Sequence, residues 1–148
     1  MADNSWAQLA INQFFEARKS PSQAECDQTA RSISNASVVH PVDIPGSLSY
    51  TVVGTGRSSE GSDLVISFRE ERSTLDDAII ELARSIHGCQ LVPEVTYHGQ
   101  MTAADPPLHI YTMSYLRGIP PFAALGSKAE LSPRDVARHI CHIKSLAR

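Results

Sequence analysis

Apolar positions recur along this chain in two rhythms, one of three to four residues and one of two, the periods of a helix face and a strand face. The spacing predicts a helix over 5–18, where Ser5 caps and Trp6, Leu9, Ile11 and Phe14 form a broad apolar face. Ser20-Pro21 stops it and opens a second helix over 21–33, with Ser20 as N-cap and Pro21 in the first turn. This second helix is polar with a weak apolar face, which assigns it to the surface.

From Asn35 the texture turns to β-branched residues punctuated by proline. Residues 36–43 read as a strand, and Pro41, which cannot donate to a ladder, marks it as an edge strand. Pro45-Gly46 signals a turn. Strands follow at 49–53 and 63–69, and the Gly/Ser-rich stretch 54–62 between them predicts a hairpin. Next, Leu75, Ile79, Leu82 and Ile86 recur at helical spacing, with Ala78 and Ala83 widening the stripe. Ser73 or Thr74 caps this helix, Asp76 and Asp77 fall in its first turn, where the helix dipole favours acids, and Gly88 ends it. Burying that stripe would contribute a gross ~6–12 kcal/mol before entropy is subtracted.

Two more strands are predicted at 92–99, with Pro93 at its mouth, and at 108–116. Ile119-Pro120-Pro121 breaks the chain, and 122–126 has the composition of a short helical turn. In the last helix Ser132 caps, Pro133 takes the first position and Asp135 follows three residues after the cap. Val136, Ile140, Ile143 and Leu146 make its apolar face, with Lys144 and Arg148 near its C-terminal end. The order predicts an α+β fold: one five-stranded antiparallel sheet, a helix inserted between its third and fourth strands, two helices before it and one after.

Composition narrows the function classes. At 148 residues, 42% apolar and 20% charged, the chain has the make-up of one ordinary globular domain. A net charge of −3 with scattered Lys and Arg argues against a nucleic-acid partner, which needs a clustered basic face. Cys26, Cys89 and Cys141 lie far apart and match neither a disulfide framework nor a zinc spacing, so the expectation is reduced thiols and a cytoplasmic protein. No basic leader precedes an apolar run, and no apolar run approaches the ~20 residues that span a bilayer, so no membrane partner is expected. His139, Cys141 and His142 cluster on the last helix, but no third ligand stands near His139 and His142 to complete a metal site. Neither a Walker A run nor a Gly-x-Ser-x-Gly elbow occurs, and His87, His98 and His109 read as structural or surface residues.

Five segments carry a resemblance when taken in order. They are Gly46-Ser47-Leu48-Ser49-Tyr50-Thr51-Val52, Leu64-Val65-Ile66-Ser67-Phe68-Arg69, the helix over 75–88, Leu91-Val92-Pro93-Glu94-Val95-Thr96-Tyr97-His98-Gly99, and Tyr111-Thr112-Met113-Ser114-Tyr115-Leu116-Arg117-Gly118. The series resembles the small lobe of protein-kinase-like folds and is most similar to the aminoglycoside-phosphotransferase-like enzymes of filamentous fungi. Ile143 to Ala147 resembles the first long helix of the large lobe. The resemblance implies an N-terminal helical extension over 1–35, a kinase-like small lobe over 36–118, and a hinge extension with the first large-lobe helix over 119–148.

The resemblance also implies a nucleotide site. Gly46 to Tyr50 would fold over the phosphates, with Ser47 and Ser49 adding hydroxyls. Arg69 stands where Lys is usual; it would contact the α- and β-phosphates and pair with an acid on the next helix. Glu81 is the first choice for that acid and Asp77 the second, because Ala78 occupies the position where related sequences often place Glu. Ser67 leaves room for adenine, and Met113 to Gly118 would form the hinge, with Ile110, Met113 and Leu116 flanking the ring. Each segment taken singly also fits a hairpin turn, a surface arginine or a core strand. Phosphoryl transfer further needs a positioning Asp and the Asn and Asp that hold magnesium. No His-x-Asp follows the hinge and no later Asp is placed to hold a metal. The implied protein is therefore cut off before its catalytic residues, binds ATP weakly, and is not expected to hold magnesium. It would be a binding or scaffold module in fungal secondary metabolism, or the ATP-binding part of a small-molecule phosphotransferase whose large lobe is encoded elsewhere. In either case Val136, Ile140, Ile143 and Leu146 would take a protein partner or a second copy.

Overall fold

The computed structural model describes residues 5–56, 62–118 and 132–146, in two compact units that divide between Tyr115 and Leu116. The first unit contains α1 (Ser5–Glu16), α2 (Gln23–Ser34), β1 (Val38–Pro41), β2 (Ser49–Thr55), β3 (Leu64–Glu70), α3 (Asp77–His87), β4 (Val95–Gln100) and β5 (Leu108–Ser114). Its five strands form one antiparallel sheet in the order β1-β2-β3-β5-β4, with α3 between the third and fourth strands in sequence. The architecture is α+β, and β1 lies at the sheet's border as Pro41 requires.

Side chains alternate between the two faces of a strand, so the register decides which residues meet. Tyr50, Phe68 and Ile110 stand opposite one another across β2, β3 and β5, and Val52, Ile66 and Thr112 form the next row. Helices α1 and α2 cover this face. Ile11, Phe14, Cys26 and Ala30 join Tyr50, Val52, Ile66, Phe68, Leu108 and Ile110 in one buried cluster. Phe15 meets Tyr50 edge-on at 5.0 Å, and Tyr50 stacks on Phe68 at 6.3 Å.

Several local expectations need correction. The inward stripe of α1 is Ala7, Ile11 and Phe14, while Trp6 and Leu9 are exposed. Helix α2 is not a surface helix: Cys26, Ala30 and Ser34 recur every four residues and are fully buried. Its apolar signal is weak because those side chains are small, and small side chains let the helix lie close to the sheet. Gly54 completes that approach, since a Cβ there would stand 3.0 Å from Ser34 Oγ and 3.1 Å from Ala36 Cβ. The cap of α2 is Ser22 rather than Ser20. Its hydroxyl accepts from the Glu25 N–H while the Glu25 carboxylate accepts from the Ser22 N–H at 2.7 Å, a closed capping box. The Ser22 N–H and hydroxyl, both donating to that carboxylate, hold it below its ordinary pKa.

Helix α3 departs most from expectation. Asp76, not Ser73 or Thr74, is its cap, accepting from the N–H groups of Ala78 and Ile79. Ser73 instead ends a short 3-10 turn over Glu71–Ser73 and donates to Leu48 O and Glu70 O. Gly88 closes the helix as expected, its N–H donating to Arg84 O at 2.8 Å. Yet α3 buries no residue, so the gain foreseen from its stripe is not realised within this unit. The packing role assigned to that stripe belongs to α1 and α2.

The second unit contains α4 (Pro133–Leu146), capped as expected by Ser132, which accepts from the Asp135 N–H at 3.2 Å. Val136, Ile140 and Ile143 are exposed on it. The Leu146 side chain, the short turn over 122–126 and the hairpin tip over 57–61 lie outside the described residues. Among the described residues no helix is long and apolar enough to cross a membrane.

Candidate functional site

The sheet face turned away from α1 and α2 carries the chemistry. Register sorts its residues into three rows across the strands. Ser49, Arg69 and His109 form the first; Thr51, Ser67, Tyr111 and Tyr97 the second; Val53, Val65, Met113 and Val95 the third. The face thus runs from a cationic row through a hydroxyl and aromatic row to an apolar row. Rows two residues apart along a strand are about 6.8 Å apart, so the outer two are separated by roughly 13–14 Å. The face is partly closed: Val53, Ser67, His109 and Tyr111 are buried, Ser49, Thr51, Val65, Arg69, Met113 and Val95 are half-buried, and Tyr97 is exposed.

Arg69 occupies the end of β3. Its Nε donates to Ser73 O, which holds the stem in place. Burial pushes its pKa down and Tyr111 opposes that shift, but among the described residues no acid pairs with it. A half-buried guanidinium without a carboxylate is a cation with donors to offer. The connection over 42–48 is tied beside it. Leu48 O accepts from the Glu70 N–H at 3.1 Å and from Ser73 Oγ at 3.0 Å. This places exposed Gly46 and Ser47 within three residues of Ser49, which faces Arg69 across the ladder. A Cβ on Gly46 would stand 3.3 Å from Ser49 Oγ, close enough that the hydroxyl would have to shift by a few tenths of an ångström.

Hydroxyls connect the first two rows. Thr51 Oγ1 and Ser67 Oγ are 2.9 Å apart, and Thr51 Oγ1 donates to Ser49 Oγ at 3.5 Å. On the β5 side, His109 Nε2 lies 2.7 Å from Glu71 Oε2 and its Nδ1 lies 2.9 Å from the Tyr97 hydroxyl. Both ring nitrogens of His109 thus have partners, a carboxylate at Nε2 and a phenol hydroxyl at Nδ1. The Tyr97 ring stacks on His109 at 5.8 Å and lies 5.0 Å from Tyr111, whose hydroxyl accepts from the Leu75 N–H.

The structure therefore brings together Ser49, Ser67, Arg69 and Met113 on one face, with Gly46 and Ser47 at its cationic end. It does not bring an acid from α3 to Arg69: Glu81 and Asp77 are exposed, and neither pairs with it. Leu116 belongs to the second unit, and the division between units falls inside the 113–118 segment read as a hinge. Thr51, Tyr97, His109 and Tyr111 escaped the sequence reading. Their signal was the two-residue alternation, usable only once β3 is known to pair with both β2 and β5.

Other candidates are less developed. A cleft of about 490 Å³ between α1 and α2 is lined by Phe15, Arg18, Pro21 and Ser22, with Glu16, Lys19 and Glu25 mixing its charge. Another of about 320 Å³ lies beside Thr29, Met101 and Ile110. Among the described residues no three His, Cys, Asp or Glu side chains group as metal ligands. No family model matches the chain, and neither a curated protein nor a solved structure matches it.

Proposed function

We propose that the Arg69-bearing face of the sheet is a nucleotide-binding shelf, and that this chain acts as a kinase-like small lobe that binds ATP without transferring phosphate by itself. The observation that carries the reading is the order of the three rows. An apolar row around Val65 and Met113 suits a base, the hydroxyl row of Thr51 and Ser67 suits a ribose, and the guanidinium of Arg69, without a carboxylate partner among the described residues, suits phosphates beside Gly46 and Ser47. Among the described residues no acid pairs with Arg69, the contact that locks an active kinase lobe. No residue of the three rows is a carboxylate that could position a nucleophile or hold magnesium, so binding rather than turnover is the expectation.

One wall of a cleft gives weak affinity, roughly −4 to −6 kcal/mol, or high micromolar to millimolar ATP. Titration of isotope-labelled protein with ATP, followed by NMR, tests the reading. Amides of Ser49, Ser67, Arg69 and Met113 should shift, and Arg69→Gln should weaken ATP about tenfold while leaving adenosine unchanged, as loss of one charge-assisted contact of ~1.4 kcal/mol implies. No shift on this face at millimolar ATP refutes the shelf. Turnover of labelled ATP with magnesium and small alcohols, above a heat-killed control, refutes the claim that the chain alone is inactive. The exposed Val136, Ile140 and Ile143 on α4 favour a second reading, in which a separate large lobe completes a small-molecule phosphotransferase.

A further inference from the structure

Glu71, His109 and Tyr97 form a chain of three that the nucleotide reading leaves unused. His109 Nε2 lies 2.7 Å from Glu71 Oε2, and its Nδ1 lies 2.9 Å from the Tyr97 hydroxyl. A phenol, an imidazole and a carboxylate in that order are the parts of an activated nucleophile: the attacking oxygen, the base that takes its proton, and the group that orients the base. His109 is buried while Tyr97 is 46% exposed, so the base is shielded and its phenol partner stands at the surface.

Two features aim the phenol. Tyr97 is registered opposite Tyr111, yet its hydroxyl reaches His109, two residues along β5. Directly after Tyr97, β4 loses register and Gly99 takes a φ of 90°, a break of the kind that re-aims a side chain. The Tyr97 ring stacks on His109 and tilts against Tyr111. Val95 and Met113, next along the same face and half-buried, make an apolar floor beside it. The titratable groups that face the imidazole are Glu71 from the turn before α3, Arg69 from β3, Tyr97 from β4 and Tyr111 from its own strand.

We propose that Tyr97 is a nucleophile that takes the acyl group of an activated aryl ester, with His109 as its general base and Glu71 positioning that base. The phenol proton passes to Nδ1 of the neutral imidazole as a bond forms from Tyr97 Oη to the acyl carbon. The ester C–O bond breaks, and the proton leaves with the aryloxide as a free phenol. Tyr97 is left as an acyl ester. The aryl group suits the floor of Val95 and Met113. Acylation is measured without nucleotide, so its failure leaves the ATP reading standing.

The probe is p-nitrophenyl acetate on the whole chain, with each acetylated side chain located and timed by tandem mass spectrometry. Tyr115 is the built-in comparison: it is 40% exposed, and among the described residues no imidazole bonds to its hydroxyl. Tyr97 should acetylate at least tenfold faster, within reach of the ~10²–10⁴-fold that a positioned base supplies, and a smaller ratio overturns the proposal. From about pH 7 to about pH 9 the Tyr97 rate should hold level while that of Tyr115 climbs, because unassisted attack needs the free phenolate; parallel climbs overturn it. His109→Gln keeps a hydrogen-bonding side chain but no base, so Tyr97 should lose its tenfold lead over Tyr115. A lead kept in that variant overturns the proposal. The first two measurements use the wild-type chain and hold whether or not His109→Gln folds.

Discussion

Replacing Glu70 by alanine removes the carboxylate that faces a buried guanidinium. The Arg18 side chain is 1% exposed, its Nη2 donates to Glu70 Oε1 at 3.0 Å, and its Nε donates to Phe14 O at 2.8 Å. The guanidinium carbon lies 3.7 Å from the centre of the Phe14 ring, and Nη1 is buried without a hydrogen-bond partner among the described residues. Burial pushes the Arg18 pKa down and Glu70 offsets part of that cost. Removing one partner of a buried pair costs ~3–5 kcal/mol because the other charge stays behind. Glu70 keeps some contact with solvent and is shared with Arg72 at 2.9 Å, so roughly 3 kcal/mol is expected. Arg18→Met removes the charge and keeps a flexible apolar stem against Phe14, so it should cost no more than about 1 kcal/mol. The double variant should match Arg18→Met, giving a coupling of roughly 3 kcal/mol, the whole cost of Glu70→Ala. Urea unfolding followed by circular dichroism reads these values from midpoints at constant m. If Arg18→Met loses more than Glu70→Ala, or Glu70→Ala loses under about 1 kcal/mol, the charge-desolvation reasoning is wrong and the pair is a surface contact.

Gly54→Ala should lower stability by about 1–3 kcal/mol, because the added Cβ meets Ser34, Ala36 and Ile66 at 3.0–3.3 Å; an unchanged calorimetric midpoint would mean that α2 does not lie so close to the sheet. Iodoacetamide should modify Cys89 and Cys141 in the folded protein and reach Cys26 only after unfolding, giving two adducts native and three in urea by mass spectrometry. Burial pushes the Cys26 thiol from 9.0 up to about 12, so the folded state holds a proton that the unfolded state releases first. That contribution is intact below pH 9 and is lost as pH climbs toward 12, so the urea midpoint should fall over that window, and Cys26→Ala should flatten the fall.

Much of the element list was readable because its signals are local: prolines at 41 and 133, the cap at Ser132, Gly88, and the alternation in β2 and β3. Which face each helix covers was less readable. The α3 stripe is the stronger periodic signal, yet the small residues Cys26, Ala30 and Ser34 do the packing, because closeness to the sheet depends on shape as well as on apolar character. Ser22-Gln23-Ala24-Glu25 spells a capping box that Ser20-Pro21 obscured. At the candidate site Ser49, Ser67 and Arg69 share a face by strict alternation, which a sequence displays. The pairing of Arg69 with His109, and the reach of Glu71 and Tyr97 to that imidazole, depend on a crossover that brings β5 beside β3, and no local pattern encodes it.

Both borders of the sheet are spoiled for further pairing. At one, β1 runs only from Val38 to Pro41 and ends on a residue with no N–H to give. At the other, β4 loses register between Tyr97 and Gln100, where Gly99 takes a φ of 90°. A newcomer chain finds neither margin long enough or straight enough to zip onto. Growth into fibrils by edge recruitment is therefore blocked by construction, which leaves the protein free to carry uncovered apolar helices without the sheet itself becoming a template.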